Sequence, residues 1–429
     1  MPIHPVSLLF RQKSLSLVVA IFFLLFLGTQ ASYAYEMEYR VKILPNKHIA
    51  EVSLRIPDAS ELKKLSFKNK PGLYKRVDAN GNLAREGDRY LWEPPAKKAW
   101  ISLQVNLLHE RKRGAFDSFI NEDWAIFRGD DLFPPVKVTA KKGAKSKARL
   151  VFELPENWPH VNTAWPRNTL VGQGEKGESQ LPEFNIDNPA RRFDRPTGWM
   201  IAGDIATRRE LLGNTLVSIS GPKREHALNK GGAGLKRMEA LSLLTFVWPE
   251  LQKLFDAPPE KLLIVGAGAP MWRGGLSGPH SLFMHADRPL VSENATSTLL
   301  HEVFHAMTRI RGGKKDDWIA EGLAEFYSVE LLYRSGGMTD ARYQKVFSWF
   351  EKRAQKQKKV RSTKSRGAVT ARAVLIFRDL DNELMAVKKV RLDSLVRLLP
   401  REKSVDLNTL KQVYKTLTGR NSEVLAAVQ

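Results

Sequence analysis

The apolar residues change period partway along the chain, and no other feature limits the fold as much. From residue 35 to about 160 they alternate: Tyr39, Val41 and Ile43 in "EYRVKIL", Val52, Leu54 and Ile56 in "AEVSLRI", and Ile101, Leu103, Val105 and Leu107 in "ISLQVNL". Alternation puts each set on one side of an extended strand, and the turn formers "DANGN" and "KKGAK" separate the runs. An antiparallel β-sandwich is predicted over 35–160. Residues 161–198 are rich in Pro, Gly, Asn and charge with no sustained period, and read as an inter-domain connection. Beyond 199 the short apolar runs "TLVSISG", "KLLIVGAG" and "HSLFMHAD" read as strands of a smaller sheet. The segment "RMEALSLLTFVWPELQKLF" between them has helical spacing. From 338 to the end the pattern is helical. The expected class is α+β, with a second unit over 199–337 and a helical unit over 338–429.

The first 34 residues place Arg11 and Lys13 ahead of "SLSLVVAIFFLLFLGTQ" and close on the small residues of "ASYA". That layout predicts a signal peptide cleaved after Ala34, and hence export, with the periplasm as the expected address. An uncleaved N-terminal anchor facing the periplasm is the alternative. No later segment reaches the ~18 consecutive apolar residues of a membrane span. The chain has 0 cysteines, so any metal must be held by His and carboxylates. A formal charge of +22 favours anionic partners, such as a surface polymer or lipid. Basic residues are densest in "KKGAKSKAR" (141–149) and "EKRAQKQKKVRSTKSR" (351–366). Neither run has the interleaved aromatics of a nucleic-acid module, so both read as solvated loops and helix faces.

One predicted helix carries chemistry. "SENATSTLLHEVFHAMTRI" opens on residues suited to a helix N-cap and carries Leu300, Phe304 and Met307 at i, i+4, i+7. Within it, "HEVFH" places His301 and His305 on one face, where both imidazoles can reach one zinc ion at ~2.0 to 2.1 Å. Glu302 lies beside that face, placed to act as a base toward water without being a ligand. A catalytic zinc takes three protein ligands, and with no cysteine the third must be His, Asp or Glu. "DDWIAEGLAEFYSVELLYRSGG" (316–337) supplies Glu321, with 15 residues between it and His305. That interval suits the end of one helix, a connection, and a second helix N-capped by Asp317. Glu325, one turn further on, shares the Glu321 face and can accept the outer N–H of a ligating histidine. His280 and His285 read as exposed strand histidines, and Tyr327 and Tyr333 as packing residues.

"HEVFH" followed by "IAEGLAEFY" resembles the gluzincin zinc metallopeptidases, and within them the aminopeptidase N and glycyl-aminopeptidase branch. The resemblance implies His301, His305 and Glu321 as zinc ligands, Glu302 as general base and Glu325 as a supporting acid. It also implies an N-terminal β domain, a thermolysin-like catalytic domain and C-terminal helices. Two departures stand out. Where that branch has a glycine-rich loop with a Glu for the substrate amine, "RGGLSGPHS" keeps Gly274, Gly275 and Leu276 but has Ser277. Where it has a Tyr donor for the oxyanion, the best local match, "KSRG", offers Lys364. Without the amine-capturing Glu, an endopeptidase is as well supported as an aminopeptidase, with "HSLFMHAD" as the edge strand pairing with an extended peptide. The expected activity is zinc-dependent peptide hydrolysis. The alternatives are a non-catalytic zinc protein of the envelope that binds a peptide or anionic partner, and a polyanion binder with an incidental metal site.

Overall fold

In the first part of the chain, alternation becomes two packed sheets. A computed structural model describes residues 34–168, 181–188, 191–223, 234–401 and 403–428; the predicted leader lies outside them except for its last residue, Ala34. The larger sheet has six strands in the order Glu183–Ile186, Lys145–Glu153, Ala34–Leu44, Ile49–Asp58, Lys97–Asn106 and Tyr74–Ala79. Val41 stands opposite Val52, and Val52 opposite Leu103, so the alternating sets share one face. That face meets Leu65, Phe67 and Trp92 from the four-stranded sheet Val136–Ala140, Leu62–Lys68, Arg89–Glu93 and Asn82–Glu86. Each large side chain buried between the layers contributes roughly 1.5 to 3 kcal/mol, which is what fixes the register.

The sandwich is not wholly antiparallel. Ala34–Leu44 runs parallel to Lys145–Glu153, because the first strand is inserted between a later strand and its own hairpin partner. Glu183–Ile186, in the stretch read as a connection, adds an outer strand by pairing with Lys145–Glu153. Four residues in a polar context are too few to show a period.

A third sheet joins the two halves of the molecule. Its order is His160–Thr163, Trp199–Gly203, Trp124–Arg128, Ala115–Ile120 and His109–Lys112. Ala125, Phe127, Met200 and Ala202 face the sandwich core. Trp124, Ile126, Trp199 and Ile201 face the other way, onto Leu263, Val265 and Phe283. Burial on both faces explains why "WAIF" and "WMIA" show no alternation in sequence.

The fourth sheet, ordered Ile205–Leu212, Thr215–Pro222, Lys261–Val265, Ser281–Met284 and Gly275–Gly278, packs against Arg237–Leu251 and the helices that follow. Ser281–Met284, read above as an edge strand, is instead paired on both sides, and Gly275–Gly278 is the edge. The glycine-rich loop has folded back as a strand and covered it. Thr298–Thr308 and Asp317–Arg334 follow, the histidine helix and the glutamate helix. The remaining chain forms Asp340–Ala354, Ala368–Lys388, Leu392–Leu398, Leu407–Thr418 and Glu423–Ala426. Among the described residues no helix is long and apolar enough to cross a membrane.

Candidate metal centre

The histidine helix is held at both ends. Ser297 caps its start, its hydroxyl accepting from the Leu300 N–H at 3.2 Å. At its end Arg309 adopts a left-handed conformation and donates its N–H to the His305 carbonyl at 3.0 Å. Leu300, Phe304 and Met307 are buried in the core, which turns the opposite face, with His301 and His305, toward a cleft.

The glutamate helix is held more deeply, and not by the cap the spacing predicts. Asp316, not Asp317, is its N-cap residue, and Asp316 caps nothing with its side chain. Its carboxylate is committed elsewhere: it accepts from the Arg361 guanidinium at 2.7 and 2.9 Å, from Trp318 Nε1 at 3.0 Å and from the Leu407 N–H at 3.2 Å. Asp317 opens the first turn and accepts from the Ser365 N–H at 2.6 Å. The basic run 351–366 therefore does more than meet solvent, since Arg361 and Ser365 fasten it to the start of this helix. Further along, a Cβ on Gly322 would lie 2.5 Å from the Ala373 Cβ. Only glycine lets Ala368–Lys388 pack this closely behind Glu321.

Both helices bring their polar groups to one point. His301 Nε2 and His305 Nε2 are 3.2 Å apart, and each lies 3.5 Å from an oxygen of Glu321. Two bonds of ~2.05 Å at a tetrahedral angle separate their donor atoms by about 3.3 Å, so these spacings match a single zinc ion. His301 Nδ1 is 3.0 Å from Glu325 Oε2, which fixes the ring and leaves Nε2 facing the gap. Tyr327 is buried and stacked on Phe304 at 5.1 Å, and Tyr333 is stacked on Tyr343 at 4.0 Å, both packing as expected.

The electrostatics favour positive charge in the gap. Burial works against a charged His301, but hydrogen bonds to Glu321 and Glu325 outweigh it and push its pKa up to about 10. Burial would also raise Glu321, yet the two histidines hold it well below the usual carboxylate range. Glu302 is different: burial lifts it above that range, against the pull of His301 and His305 and of a hydrogen bond from the Ser277 hydroxyl. Its side chain rests on the edge strand. A Cβ at Gly275 would sit 2.7 Å from Glu302 Cγ.

These residues line a cleft of about 780 Å³. Gly275, Leu276, Ser277 and Lys364 all border it, whereas Gly274 is buried beneath Trp272, with no room for a side chain. His280 and His285 are not exposed. His285 is buried in the turn after its strand. Burial, with Arg309 and Arg401 adding repulsion, drives His280 down to about 4. The sequence reading missed the cations of the cleft, chiefly Arg111, Arg128, Arg311 and Arg366. They come from loops and strands far apart in sequence, so no spacing announces them.

No family description and no curated protein matches this sequence. The fold does have relatives among solved structures. An aminopeptidase N family protein from Idiomarina loihiensis superposes with a TM-score of 0.58 at 18% identity, covering 84% of this chain and 69% of that one. Legionella pneumophila aminopeptidase A, solved with aspartic acid, gives 0.55 at 12% identity over 92% of this chain. This chain spans 49% of that protein. The fold is thus a mixed α and β architecture like that of aminopeptidase N family proteins.

Proposed function

We propose that this chain is a zinc-dependent peptidase of the gluzincin type, with one ion held by His301, His305 and Glu321. The observation that carries the reading is the set of donor separations of 3.2, 3.5 and 3.5 Å, closed by Glu325 behind His301. A bound zinc ion supplies Lewis-acid polarisation of the scissile carbonyl and acidifies the attacking water.

The protein's own groups do the rest. Glu302, whose pKa burial raises, takes a proton from the water and returns it to the departing amine. The hydroxyl ends on the acyl carbon and the C–N bond breaks. Gly275 and Ser277 hold the Glu302 side chain in place, and the edge strand Gly275–Gly278 offers its outer backbone to an extended substrate. Lys364, on the rim, is the candidate donor to the oxyanion. Ser277 is turned to Glu302 and carries no charge to bind a free amino terminus, which favours cleavage within a chain. The same reading takes residues 1–34 as a cleaved leader and the periplasm as the place of action.

Metal analysis of the purified chain, with cleavage of a peptide library offered with free and with acetylated N-termini, tests this. About one zinc per chain is expected, with turnover that a chelator stops and zinc restores. Cleavage that survives acetylation supports the endopeptidase form. Zinc bound with no peptide cleaved would leave the non-catalytic binding protein standing instead.

A further inference from the structure

The cleft is more basic than its chemistry requires. Among the described residues four acids line it, and each is engaged in holding the site. Asp130 accepts from Arg195 at 3.2 Å and from the Gly198 N–H at 2.9 Å, and Asp317 accepts from Ser365. Glu302 and Glu321 belong to the centre itself. Against them stand Arg111, Arg128, Arg309, Arg311, Lys364 and Arg366, drawn from three parts of the chain.

The placement of these cations matters as much as their number. The Arg111 guanidinium lies 4.2 Å over the Trp272 ring, and the Trp272 backbone N–H donates to the Phe116 carbonyl at 2.7 Å. The hairpin of the third sheet is thereby clamped beside the start of the edge strand, with its arginine at the cleft. Arg128 lies 5.4 Å over Trp199 on the same side. Arg311, just after the histidine helix, and Lys364 and Arg366, either side of the Ser365 that bonds the start of the glutamate helix, are exposed on the helix side of the cleft. A tryptophan ring holds a guanidinium in place without cancelling its net charge, and although Asp117, 3.7 Å from Arg111, offsets part of that charge, a substrate meets cations from both the hairpin and the 364–366 loop.

We infer that the site selects acidic peptides, with carboxylates of the substrate flanking the scissile bond between the Arg111 side and the Arg366 side. This rests on the peptidase reading for turnover, but not for binding. A carboxylate held by arginine on each side would add charge-assisted hydrogen bonds that a neutral peptide lacks. A peptide rich in lysine would be repelled by the same groups.

The test uses the full mature chain with zinc and paired peptides that differ only by Glu or Gln on either side of the cleaved bond. The acidic member should have the higher kcat/KM by roughly tenfold or more, with the advantage shrinking between ~50 mM and ~0.5 M salt. Arg111→Gln and Arg366→Gln, each at an exposed position, should each reduce the acidic-to-neutral ratio. Binding of both peptides to Glu302→Gln, followed by fluorescence anisotropy, is measured in parallel. Turnover without acidic preference overturns the inference and leaves the peptidase reading intact. Preferential binding of the acidic peptide without any turnover by the unaltered chain would support the inference and remove the peptidase reading. Equal binding of both peptides overturns the inference whatever the turnover.

Discussion

The two walls of the cleft are built in opposite ways. One wall is two helices whose polar groups are few, partly buried and mutually bonded: His301, His305, Glu321 and Glu325 satisfy one another, and Asp316 ties the helix start to Arg361 and Leu407. The other wall is the edge strand and the hairpin, carrying exposed Arg111 and half-buried Arg128, each over a tryptophan ring, while Arg311, Lys364 and Arg366 stand exposed on the rim of the helix side. Groups that must sit within a few tenths of an ångström are placed on rigid elements backed by a core. Groups that only need to set a potential are left on the surface, where changing one leaves the rest in place.

The contrast can be broken first at the rigid wall. Glu302→Gln keeps the shape and removes the base, so turnover should fall by ~10² to 10⁴-fold while zinc content stays unchanged in metal analysis. Retained turnover would show that the base lies elsewhere. Glu325→Ala leaves the three donors but frees the His301 ring, and should weaken zinc by about 10 to 100-fold in a competition assay with a chelator. An unchanged affinity would mean the ring is held by packing alone.

Smaller effects probe the backing. Gly322→Val forces apart the glutamate helix and Ala368–Lys388, where even a Cβ would stand 2.5 Å from Ala373. A loss of about 1 to 3 kcal/mol in denaturant unfolding is expected. An equivalent change at exposed Arg366 should cost close to nothing, and a comparable loss there would erase the distinction between packed and rim positions. The smallest effect is a pH slope. His280 has a folded pKa of about 4, below its unfolded value, so the folded state takes up its proton last. Its contribution is full above the unfolded pKa of ~6.5 and is lost as the pH falls through that value toward 4. His280→Asn suits the positive φ of 49° there and should flatten the slope by on the order of 1 kcal/mol over that window. Identical pH slopes for the two proteins would rule this contribution out.

Much of this was legible in the residues. Alternation at Val41, Val52 and Leu103 gave the sandwich because strand period is a local property, and the same holds for the helical face of His301 and His305. The strands "WAIF" and "WMIA" were not legible, since burial on both faces removes the alternation that marks a strand. The edge of the sheet was misread for a related reason. "SLFM" is apolar and looks like a strand, but whether a strand lies at an edge depends on what the glycine-rich segment before it does.

The sequence by itself determined the two histidines on one helical face, with Glu302 beside them, and a glutamate pair one turn apart. A helix repeats every 3.6 residues, so those relations need only the chain's local geometry. The tertiary structure decided that Glu321 stands 3.5 Å from both histidines, that Asp316 ties the start of the second helix to Arg361 and Leu407, and that Arg111 reaches the same cleft. Those relations join residues distant in the chain, and their distances are set by how sheets and helices pack, which no local pattern records.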